Sequence, residues 1–150
     1  MSPHAYGTIL LLAEGTEDGM KAARDAISLA VDEEATLIIA AVVDTNILKH
    51  LLTARIFLQE EMEEYEHELG ESGNKQLRYI AQLADKAGVK NRTCLLRGAC
   101  HSVILREQRQ RGADLLVMGG FRATTVKRDL MAREKQLIID DVSCPVLLVR

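Results

Sequence analysis

The residues best suited to chemistry gather near the C-terminal end of this chain. Gly119 and Gly120 follow a short apolar run, Leu115-Leu116-Val117-Met118, and a polar stretch holding Arg122, Lys127, Arg128, Arg133 and Lys135 comes next. Glycines placed after a strand let the backbone approach an anion and adopt positive φ, so that amide groups converge on it. Arginine and lysine can hold the same anion through their side chains. A tight turn also uses two glycines, and the cations stand among Asp129 and Glu134, so a solvated charged surface is the competing reading.

Other chemistry finds no constellation. His4, His50, His67 and His101 are scattered and show no metal-ligand spacing such as H-E-x-x-H. Glu64, Glu66 and Glu68 around His67 read as a solvated helix face. Ser102 and Ser143 lack a partner base, because His101 beside Ser102 on a helix faces elsewhere. Cys94, Cys100 and Cys144 form no C-x-x-C pair and read as small apolar residues in a reducing compartment. There is no Walker A loop and no G-x-G-x-x-G, and nothing specifies a catalytic base.

The elements that must position the glycines and cations can be read from hydrophobic patterning. Thr8 to Ala13 is a continuous apolar run, as in a strand buried on both faces, and it ends at Glu14. Thr16 is placed to cap a helix that reaches about Val31, with Glu17 and Asp18 in its first turn. Ala35 to Val43 predicts a second strand, with its exit at Asp44. The segment 47–57, including Ile56, reads as a loop with a helical turn or a short helix. Leu58 to about Ala87 is helical and acidic, and Gly70 and Gly73 predict a kink or local break inside it. Arg92 to Leu96 is a third strand, Ala99 to Arg111 a helix, and Asp114 to Met118 a fourth strand. A last helix covers about Arg128 to Asp140, and Pro145 opens a final strand at a sheet edge.

Five strands alternating with helices describe an α/β chain with an open, doubly wound parallel sheet. Such sheets bind ligands outside the carboxyl ends of the strands, where the strand order reverses. At 150 residues the chain has the length of one domain, spanning 1–150, and 47% hydrophobic residues can fill its core. Aromatics are 3% and the net charge is −3, which leaves neither stacking surface nor a basic field for nucleic acid. No apolar run is long enough to cross a membrane, and the run from Ile9 to Ala13 is too short for a signal peptide.

Two segments, Asp114-Leu-Leu-Val-Met-Gly119 and Ser143-Cys-Pro-Val-Leu-Leu-Val-Arg150, resemble the closing segments of universal stress proteins. The resemblance implies a Rossmann-like sheet of the adenine nucleotide alpha hydrolase type with strand order 3-2-1-4-5. In nucleotide-binding members a loop G-x-x-G-x9-G-[ST] wraps the phosphates and ribose of ATP. Its four fixed positions fall here on Gly119, Arg122, Ala132 and Arg133, so three of the four are changed. The family's aspartate at the end of the first strand becomes Glu14, next to Ala13, and Val42 stands where a backbone contacts adenine. With Met118 and Gly120, these residues form the expected site. The resemblance further implies a cytosolic stress-response protein that works by homodimerisation, through Val146, Leu147, Leu148 and Val149, and by associating with protein partners. Little or no catalysis and no resident cofactor are expected. The alternative is a switch or slow ATPase that binds ATP, AMP or another phosphate ligand through the basic loop.

Overall fold

The computed structural model describes residues 4–55, 57–120 and 126–150. Ile56 and Arg122 therefore lie outside the described residues. Five strands form one parallel sheet: β1 (Thr8–Leu12), β2 (Thr36–Asp44), β3 (Asn91–Gly98), β4 (Leu115–Gly119) and β5 (Val146–Val149). Their order is β3-β2-β1-β4-β5, as the resemblance implies, and Pro145 does open an edge strand. The order reverses between β1 and β4, which pair from Ile9–Leu115 to Leu11–Val117.

Alternation along β1 explains the two layers. Ile9 and Leu11 point into one core with α1 (Glu17–Glu33) and α3 (Gln59–Lys86). Leu10 and Leu12 point into the other, which includes Ile104 of α4 (Cys100–Arg111) and Ile138 of α5 (Val126–Asp141). All four β1 side chains are at most 2% exposed, so the unbroken apolar run reflects burial on both faces. Each such side chain contributes about 1.5–3 kcal/mol through removal from water.

Thr16 caps α1 as expected, its Oγ1 accepting from Gly19 N at 3.0 Å. The segment after β2 is a helix, α2 (Thr45–Thr53), which sits over the carboxyl edge of the sheet. Its buried Ile47, Leu48 and Leu51 join Val43 and Met62 in a third, smaller core. The α3 helix runs unbroken through Gly70 and Gly73, against the expected local break. A Cβ on Gly73 would stand 3.0 Å from Leu95 Cδ1, and one on Gly70 3.0 Å from Arg97 Nη2. These glycines let the helix lie close to β3, and that packing outweighs their low helix propensity.

Candidate functional site

The carboxyl ends of β1 and β4 meet where a ligand is expected, and a side chain of the protein itself fills that place. Lys135, in the third turn of α5, is buried, with a side chain only 3% exposed. Its Nζ lies 2.8 Å from Glu14 Oε1 and donates to Gly119 O at 3.0 Å and, more weakly, to Gly120 O at 3.5 Å. The contact with Glu14 is a buried ion pair. Burial pushes the Glu14 carboxyl above its ordinary value, the Lys135 ammonium draws it back, and the Asp18 carboxylate adds a smaller upward push.

The glycine pair presents the wrong groups to an anion. Carbonyl oxygens of Gly119 and Gly120 face the ammonium, and Gly120 N–H is spent on Val149 O at 2.6 Å. Both glycines have a packing reason. A Cβ on Gly119 would stand 2.8 Å from the backbone of Asp18 and Gly19, so the first turn of α1 can rest against β4 only because no side chain intervenes. A Cβ on Gly120 would meet Arg150 Cγ at 3.0 Å. Gly119→Ala is expected to destabilise the fold by about 1–3 kcal/mol, because rigid backbone must move. Urea denaturation of the purified variant measures this; an unchanged midpoint would show that the helix can retreat freely.

Beside the ion pair lies a second polar cluster. Asp44, 6% exposed, ends β2. Its Oδ1 accepts from Asn46 N and Ile47 N at 2.9 Å each, capping α2, and its Oδ2 accepts from Cys100 N at 2.9 Å at the start of α4. Glu134 of α5 is hydrogen-bonded to His101 Nδ1 and feels the charge of the Asp44 carboxylate. Burial raises the Glu134 carboxyl above its ordinary value of 4.5; Asp44 pushes it further and His101 draws it down. A proton on Glu134 relieves its repulsion by Asp44. Burial also pushes the Cys100 thiol well up, which leaves it a thiol at neutral pH.

The sign of the pH effect follows. Glu134 binds its proton more tightly folded than unfolded, so its contribution to stability is complete below about 4.5 and is lost as pH rises through the raised folded value. Glu134→Gln keeps the shape and removes the titration. Wild type is therefore expected to lose more stability than Glu134→Gln between pH 4.5 and neutrality. Parallel slopes in urea melts across that range would refute the assignment.

A cleft of about 380 Å³ opens on the β2 side of Glu14, lined by Ala13, Glu14 and Val42, by α2, and by the face of α3 that carries Tyr65, Leu69, Ser72 and Gln76.

The expected site residues divide accordingly. Ala13, Glu14 and Val42 line the cleft, while Met118 is buried in the core beneath it. Gly119 and Gly120 hold α1, Lys135 and the last strand. Ala132 is half-buried and Arg133 is exposed on α5. Arg122 lies outside the described residues, as do the side chains of Lys127 and Arg128. Lys135 is the correction: read as one of a surface group of cations, it is an interior ion. Glu134, His101 and the α3 wall were not anticipated as parts of one site. The signal for Lys135 was present, since Met131, Glu134, Lys135, Ile138 and Val142 recur at i, i+3, i+4, i+7 and i+11, the stripe that faces a core.

Comparison with known proteins agrees with this architecture. The chain is 28% identical over 145 residues to the universal stress protein MJ0531 of Methanocaldococcus jannaschii, covering 97% of this chain and 82% of that one. The solved structure of the hypothetical protein MJ0577 superposes with a TM-score of 0.75 at 22% identity, over 96% of this chain and 95% of that one. A universal stress protein solved in complex with cAMP gives a TM-score of 0.66 at 21% identity, over 97% and 98%. The model of the universal stress protein family matches residues 5–150. With that match over nearly its whole length, the chain belongs to the universal stress protein family.

Proposed function

We propose that this chain is a single-domain cytosolic stress-response protein that acts by pairing with itself and with protein partners, with little or no catalysis. The observation that carries this reading is the Glu14–Lys135 ion pair at the reversal of strand order. A phosphate arriving there would meet the Glu14 carboxylate and the carbonyls of Gly119 and Gly120, and would have to displace a lysine already held by them. Self-association through β5 fits an edge strand whose outer side lacks a partner in the sheet. Val146, Leu147 and Leu148 are only half-buried, and Leu137 and Ile139 on α5 are 41% and 36% exposed. Covering such a strip of apolar surface favours association.

Titration calorimetry with ATP, ADP, AMP and cyclic AMP tests the closed site: no heat is expected at millimolar ligand, and micromolar binding of ATP would overturn it. Light scattering at micromolar protein tests the pairing, where a monomer would count against it. A second reading, a nucleotide- or phosphate-responsive switch, draws on the relative solved with cAMP and on the open cleft beside Val42. It requires Lys135 to leave Glu14 when the ligand enters.

A further inference from the structure

The cleft beside Glu14 has a chemistry that phosphate recognition does not explain. Its volume of about 380 Å³ lies within the range of small-molecule pockets. Most of its surface is aliphatic, from Ala41, Val42, Ile47, Leu48, Leu69 and Met131. Its ionisable lining is acidic apart from the Tyr65 phenol: Glu14 and Asp44 face it, and no lysine, arginine or histidine does among the described residues. Asp44 already accepts three backbone amides, and Thr16 Oγ1 accepts one. Glu14 is thus the carboxyl there that no backbone amide among the described residues satisfies, and it stands at the end of the cleft against Lys135.

We infer that this cleft binds one small, neutral, mainly apolar molecule bearing an N–H or O–H group that donates to Glu14, and that it rejects anions. The inference rests on the reading above, in which the protein's own ion pair closes the phosphate half of the site. Apolar walls supply the attraction through loss of water contact. The donor offsets the cost of covering a carboxyl that would otherwise lose its solvent. Among the described residues, an anionic group would enter beside two carboxyls without a facing cation.

Two fluorescent probes that share one skeleton test this. N-phenyl-1-naphthylamine is neutral with a single N–H; 1-anilinonaphthalene-8-sulfonate adds a sulfonate. The neutral probe is expected to bind saturably at one per chain, and the sulfonate at least about tenfold more weakly. Val42→Phe fills the cleft and Ser72→Trp, at an exposed α3 position, blocks its mouth; both should abolish binding of the neutral probe. Should Val42→Phe fail to fold by circular dichroism, Ser72→Trp carries the test alone. Glu14→Gln leaves Lys135 without its carboxylate, and the preference against the sulfonate should shrink. Equal affinity of the two probes, no saturable binding of the neutral one, or its survival in the folded blocking variant would each overturn the inference. Failure here with ATP still giving no heat leaves the closed-site reading standing; ATP binding removes that reading directly.

Discussion

Replacing Lys135 with methionine is expected to cost the fold about 3–5 kcal/mol at neutral pH, because a buried carboxyl is left without its partner. The side chains are 3% and 14% exposed, so solvent screens the pair little. The double variant Glu14→Gln/Lys135→Met is expected to recover most of that loss, since an uncharged, well-packed pair has no desolvation penalty to offset. Acid should also rescue the single variant. Burial already raises the Glu14 carboxyl, and removing the ammonium removes its strongest opposing influence. A carboxyl whose folded value is raised contributes its stability below its unfolded value and loses it as pH rises through the folded one. The deficit of Lys135→Met should therefore narrow as pH falls toward 4.5. Urea denaturation of the three proteins at neutral and acid pH gives both comparisons. A loss below about 1 kcal/mol, typical of exposed pairs, would mean the ion pair is solvated and the phosphate half of the site open.

The second large effect is expected at Asp44. Asp44→Ala removes the cap of α2 and the acceptor at the start of α4 together. A lost cap costs about 0.5–2 kcal/mol. A lost hydrogen bond to a charged acceptor costs about 1.5–3 kcal/mol. A total of about 2–5 kcal/mol follows, with the lower end favoured if water enters. Asp44→Asn keeps one oxygen and should lose about half as much. It also withdraws the negative charge that pushes Glu134 upward, so Glu134 should release its proton at lower pH. Denaturation midpoints measure the first effect; a carboxyl-resolved NMR titration measures the second. An unshifted Glu134 in folded Asp44→Asn would show that the two carboxyls do not interact.

Both predictions concern groups whose positions could be read from the chain more readily than their partners. Apolar runs at 8–13, 35–43, 115–118 and 146–149, separated by amphipathic stretches, suffice for a parallel sheet, because burial on both faces leaves a one-dimensional trace in the residue types. Thr16 as a cap and Pro145 at an edge are likewise local matters of hydrogen-bond supply. The breadth of α2 was less legible, since its cap is the last residue of a strand. Gly70 and Gly73 do not break α3, because propensity is a local quantity, whereas Leu95 and Arg97 of β3, against which those glycines pack, arrive from about two dozen residues away.

The candidate site shows the same division more sharply. The sequence, read with its family resemblance, determined that three of the four motif positions had changed, and it placed Glu14 and Gly119 at the carboxyl ends of β1 and β4. It could not determine which cation turns inward, because a lysine on a helix is solvated or buried according to the rotation of that helix against the sheet. Only the tertiary structure decided that Lys135 points to Glu14 and the glycine carbonyls, that Glu134 pairs with His101, and that α3 walls a cleft from about two dozen or more residues beyond Val42. Charge and residue type are written in order along the chain, but the partner that gives a buried charge its meaning is supplied by the fold.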